Sequence, residues 1–272
     1  MLAVDDPEDT QALPLRPYVV TEETRSGLAV RRAAELDGHM DTDFPHLDET
    51  VVATARFLES ISALSDEDLR EPSLLPDWTR AHVVAHVARN ADALANALHG
   101  AQAGEVRAMY PSQEQRDADI EEGAARSAEE LRADAAAAAR RWDQAANEVH
   151  AANLDNGYSR VPGGETFPSR RIGKLRRIEV EVHHADLGVG YTAADWPDDF
   201  VDLLMERRVR ELTAAGTGLT WRATDRDASW SSGDGPEVTG TAADLAWWLI
   251  GRGSGEGLTC STGSLPRIGP WV

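Results

Sequence analysis

The 272-residue chain contains a single cysteine, Cys260. One cysteine excludes an intramolecular disulfide and any cysteine-rich zinc site. No motif around Cys260 marks it as a nucleophile, so it reads as an ordinary packed or surface thiol. No stretch approaches the roughly 18 apolar residues of a membrane span. The opening residues MLAVDDPEDTQALPLRPY carry acids where a signal peptide carries basic residues and then an apolar core. The expected location is therefore cytoplasmic, with no membrane partner. Positive charge is also scarce, with 27 basic against 47 acidic residues and a net charge of −20. Such a surface repels nucleic-acid phosphates and anionic lipids. It repels small anions too, so a carboxylate substrate requires a basic residue at the site itself. HExxH, GxSxG and a helix-opening GxGxxG are all missing.

What remains is mostly helical. HLDETVVATARFLESISAL places Leu47, Val51, Ala55, Phe57, Leu58 and Ile61 near one face, and this helix is expected to stop before Ser65. A second long helix is expected over about Thr79–Gly104, and a polar segment follows over about Ser112–Ser127. Ser127 and Glu130 form a capping box ahead of an alanine-rich helix. Asn156-Gly157 and Gly163-Gly164 mark a loop. A fourth long helix is expected over about Ser169–Leu187, although its run Ile178-Glu179-Val180-Glu181-Val182 would also alternate as a strand. After Gly188 come another helix, the short strand candidates LTWRATD and EVTG, a helix capped by Thr241, and the glycine-rich GRGSGEG. The pattern implies an irregular extension over 1–44, a helical bundle over 45–190 and a smaller α+β domain over 191–272.

The chemistry-bearing residues concentrate in two of these helices. His82 and His86 are four apart and share a helix face, as do Glu179 and His183. His183 and His184 would face different ways. One histidine of the second helix with Glu179 and His183 would give a His₂Glu set. Three protein ligands and an open fourth position is a catalytic zinc pattern, and the fourth position suits water or a thiolate. Arg252, within GRGSGEG, could hold a carboxylate in its planar fork. Trp247-Trp248 reads as packing.

Read together, SLLPDWTRAHVVAHVARNADALANALHGAQAGEVRAMYPS, RRIEVEVHHADLGVGYTAADWP and GRGSGEGLTCSTGSLPRIGPWV resemble the mycothiol-dependent maleylpyruvate isomerases. These belong to the DinB-like superfamily of metal-binding four-helix bundles. The resemblance runs over about residues 45–272, leaving the first forty or so outside it. It implies a mostly α protein, a DinB-like four-helix bundle with a smaller C-terminal α+β domain. It implies zinc held by His86, rather than His82, with Glu179 and His183. It implies mycothiol as the low-molecular-weight thiol partner and Arg252 as a catalytic residue at a small-molecule substrate. The implied reaction is cis–trans isomerisation of maleylpyruvate to fumarylpyruvate by thiolate addition, bond rotation and elimination. The same site would serve a mycothiol S-transferase. A non-catalytic metal-binding or regulatory module is the alternative of a different class. His184 and Ala185 depart from the small-then-aliphatic pair more usual before Asp186, leaving room for another substrate.

Overall fold

The computed structural model describes residues 44–269, and the expected extension over 1–44 lies almost entirely outside the described residues. Among these residues are eight α-helices. They are α1 (Leu47–Ala63), α2 (Asp66–Arg70), α3 (Arg80–Ala103), α4 (Gln113–Ala125), α5 (Ala128–Glu148), α6 (Ile172–Asp186), α7 (Asp198–Ala214) and α8 (Ala242–Leu249). α3 packs against α4, α5 and α6, while α1 packs against α5 and α6. The long helices α1, α3, α5 and α6 make the four-helix bundle, and among the described residues no helix is long and apolar enough to cross a membrane.

α3 is the central helix. Its residues Val83 to Ala88 are buried in succession, so the helix is covered on all sides. It begins at Thr79, whose side chain pairs with His82 in a capping box, and ends at Gly104 in the left-handed conformation. The α5 capping box forms as expected between Ser127 and Glu130. The buried alanines of α5 surround Trp142, and their small side chains allow close helix approach. α1 stops at Ala63, before Ser65. Its buried face is Leu47, Thr50, Ala53, Thr54, Phe57 and Ile61, while Val51, Ala55 and Leu58 are half-buried. The face is rotated because Thr50 satisfies its hydroxyl locally, donating to the His46 carbonyl at 2.6 Å, and so is buried without penalty.

α6 is helical despite its strand-like alternation. Val180 packs in a first apolar core with α1, α3 and α5. Ile178, Val182 and Ala185 pack in a second core with α7, α8 and a four-stranded sheet. A helix clamped between two cores buries apolar residues on opposite sides, which mimics a period of two.

That sheet joins β4 (Thr220–Ala223), β5 (Ser229–Ser231), β6 (Glu237–Gly240) and β7 (Thr259–Cys260) in the order β5-β4-β6-β7. Its central pair is parallel and its outer pairs are antiparallel. A second sheet of β1 (Arg107–Ala108), β2 (Gly157–Ser159) and β3 (Thr166–Pro168) packs against α3. Gly157 is therefore in a strand rather than a loop; strands of two or three residues are too short to show an alternating pattern.

Candidate metal centre

α6 presents a third stripe, at spacings of three and four: Arg176, Glu179, His183 and Asp186. Across from it, α3 turns His86 inward. The two imidazoles converge on one carboxylate oxygen: Glu179 Oε2 lies 2.9 Å from His86 Nε2 and 3.4 Å from His183 Nε2. Ligand atoms of all three lie within 4.8 Å of one another. His183 Nδ1 is 2.9 Å from Asp186 Oδ2, and Arg252 forks onto the same carboxylate through Nε at 2.8 Å and Nη2 at 3.0 Å. The Asp186 side chain is fully buried. A carboxylate behind a histidine fixes the ring's tautomer and orientation, as metal-ligating histidines require.

Electrostatics sort the three groups. Burial, then the neighbouring charge of His183, pushes His86 down to about 4. Burial works against ionisation of Glu179, but hydrogen bonds from both histidines outweigh it and hold the carboxyl well below its usual range. Burial would lower His183 too, yet its hydrogen bonds to Asp186 and Glu179 raise it. The cluster thus keeps an ionised carboxylate against a neutral His86. A set of two imidazoles and one carboxylate with converging donor atoms fits zinc.

The profile of the mycothiol maleylpyruvate isomerase N-terminal domain matches residues 51–188, and that of the MDMPI C-terminal domain matches residues 189–270. The crystal structure of the mycothiol-dependent maleylpyruvate isomerase superposes with a TM-score of 0.76 at 31% identity, covering 85% of this chain and 100% of that one. A histidine-to-alanine mutant of the mycothiol-dependent maleylpyruvate isomerase gives 0.75 and 30%, with the same coverage. Among curated proteins, no sequence matches. The chain belongs to the mycothiol-dependent maleylpyruvate isomerase family.

Within this family's fold, the remaining sequence candidates take distinct places. His82 is turned to its own helix end. Its Nδ1 lies 2.7 Å from Thr79 Oγ1 and accepts from the Thr79 amide, and its Nε2 faces Glu121 on α4. His184 points away from His183, stacking on Tyr191 with ring centroids 3.8 Å apart and meeting Ser60. Arg252 is set between two glycines in the left-handed conformation, Gly251 and Gly253, which bend the loop so that the guanidinium reaches Asp186. Trp247 and Trp248 pack against the second core and also line a cavity of about 440 Å³ with Tyr191, Gly188 and Gly253.

Three contributors escaped the sequence reading. Asp186 had a readable signal, since it follows His183 at the three-residue spacing that lets a carboxylate reach the imidazole. Trp78, whose ring centroid is 5.6 Å from that of His86, comes from an irregular segment. Arg116 comes from the polar helix α4, and its Nη2 lies 3.2 Å from His86 Nδ1. Neither residue has a local signal, because the tertiary packing of α4 and the loop against α3 brings them in.

Proposed function

We propose that this protein is a mycothiol-dependent isomerase converting maleylpyruvate to fumarylpyruvate, with His86, Glu179 and His183 holding zinc. The observation that carries the reading is the convergence of two imidazole Nε2 atoms on one ionised, partly buried carboxylate in a chain of this family. When bound, zinc would supply a Lewis acid that keeps a coordinating thiol deprotonated near neutral pH.

The chain's own residues do the rest. Glu179 supplies the negative charge, and Asp186 holds His183 with its Nε2 toward the centre. Arg252 steadies Asp186 with Nε and Nη2, which leaves Nη1 to orient a substrate carboxylate. The nucleophile is the thiolate of mycothiol. It adds to the cis double bond, and the electron pair moves into the conjugated carbonyl. The former double bond rotates as a single bond, and return of the electron pair expels the thiolate from the trans product. Electrons and protons balance without an oxidant, and the thiol is regenerated. Residues 191–272 act in this scheme as the domain that brings Arg252 to the bundle of residues 45–190, in the cytoplasm.

The test is incubation of the zinc-loaded protein with maleylpyruvate, with and without mycothiol. Fumarylpyruvate formed only with the thiol, and without net thiol loss, is expected. Stoichiometric thiol consumption would make the protein an S-transferase, and no reaction in either case would reject the catalytic reading.

A further inference from the structure

A surface of net charge −20 has to gather an anionic substrate with local cations. The nearby arginines are unequally available. Arg252 spends two nitrogens on Asp186. Arg176 is buried and donates through Nη1 to the Val87 carbonyl and Asn90 Oδ1. Arg116 differs. Its Nε, like that of Arg176, is buried without a hydrogen-bond partner, but its side chain is 14% exposed whereas Arg176 is closed off from solvent, and its carboxylate partner, Asp117, is the next residue and largely exposed. An ion pair with so exposed a partner contributes little. The guanidinium lies over the Tyr110 ring with Cζ 5.7 Å from the centroid. Arg160 lies at the same distance from the same ring.

The remaining contact of Arg116 cannot coexist with ligation. A neutral imidazole carries one hydrogen. If His86 Nε2 is a metal ligand, Nδ1 carries the hydrogen and has no lone pair for a guanidinium donor. Arg116 Nη2, 3.2 Å from that nitrogen, then loses its acceptor. Loading the centre therefore frees a largely buried cation one imidazole's width from the reacting position, with Nη2 and the unpaired Nε as an open donor edge.

We propose that Arg116 is the anion-binding residue of this centre. It takes a carboxylate of the substrate in its planar fork, with Arg160 reinforcing the positive charge across Tyr110. The ligand class is a small carboxylate, and a cis-dicarboxylate fits best because Arg252, held on Asp186 behind His183, offers Nη1 as a second donor. The anion site rests on the metal ligation proposed above, which zinc analysis tests separately, and not on the identity of the substrate.

The experiment uses the zinc-loaded full chain and its Arg116→Gln and Arg116→Lys variants. Maleate binding is measured by calorimetry, zinc content by metal analysis, and kcat and KM with maleylpyruvate and mycothiol. Arg116→Gln should weaken maleate binding and raise KM about tenfold or more, as expected for loss of a charge-assisted hydrogen bond. Zinc content should be unchanged, and kcat should change less than KM. Arg116→Lys should recover part of the binding, and it serves as the reference should the Gln variant unfold. Maleate binding in wild type that depends on Arg116, without turnover of maleylpyruvate, would keep this site and remove the proposed substrate. Equal maleate affinity in wild type and variants, no maleate binding by wild type, or zinc loss that accounts for the whole effect would overturn the proposal.

Discussion

Asp186 serves two partners at once, His183 on its own helix and Arg252 from a distant loop. The first predictions concern single residues. Alanine at His86, Glu179 or His183 should remove zinc or weaken it severely, whereas His82→Ala should retain it, since His82 is committed to the Thr79 cap and Glu121. Metal analysis after dialysis decides this, and zinc loss in His82→Ala would contradict it. Arg252→Ala strips the fork from a fully buried carboxylate. It should lower kcat/KM by about tenfold or more and weaken zinc as well, because partners behind a ligand typically contribute 10–100-fold in affinity or activity. Arg252→Lys keeps the charge without the fork and should recover little. Near-normal kinetics in Arg252→Ala would dismiss both of its roles. Cys260 lies on β7 beside Thr262, and the nucleophile of the proposed reaction comes from the cosubstrate, so Cys260→Ser should leave turnover intact. The candidate ligands were legible as a cluster because spacing of four puts two donors on one helix face. The choice of His86 over His82 was not legible in spacing, and rested on family resemblance, because capping by Thr79 is a matter of helix register. Arg252's internal partner was hidden because the pairing spans 66 residues.

At the scale of elements, α6 carries three functions on three stripes. One stripe faces each core, and the third carries the charged residues. Its helical period was obscured in the sequence by burial on both sides, while the capped start of α5 was plain from Ser127 and Glu130. Because α6 holds two of the three candidate ligands, its placement against the N-terminal end of α1 matters. Gly173 sets that placement: a Cβ there would lie 2.0 Å from the Pro45 carbonyl oxygen and 2.9 Å from the Phe44 ring. Backbone oxygen cannot yield as a flexible side chain can, so Gly173→Ala must displace the helix. The expected cost is about 1–3 kcal/mol, a fall in melting temperature of roughly 2–12 °C for a chain of this size. Thermal unfolding measures it, and an unchanged Tm would show that the start of α6 is free to move.

For the molecule as a whole, packing crosses the position near residue 190 where the sequence changes texture. Ile178, Val182 and Ala185 belong to the bundle by connectivity and to the second core by packing. Trp196, beyond the division, donates its indole N–H to the Glu181 carbonyl of α6, and Arg252 crosses back to Asp186. This interlocking was illegible in the sequence because helical periodicity gives a buried face but not the number of partners covering it. A chain cut to residues 45–190 would expose Ile178 and Val182, each contributing about 1.5–3 kcal/mol when buried. It would also leave Asp186 without its cation. Together these losses approach the 5–15 kcal/mol that hold an ordinary domain folded. The truncated chain should therefore aggregate or melt well below the full-length protein, and bind zinc weakly. Addition of residues 191–272 as a separate polypeptide should restore part of both properties. A soluble 45–190 fragment with the full-length Tm and zinc affinity would show that the second core is an appendage to the metal centre rather than part of its support.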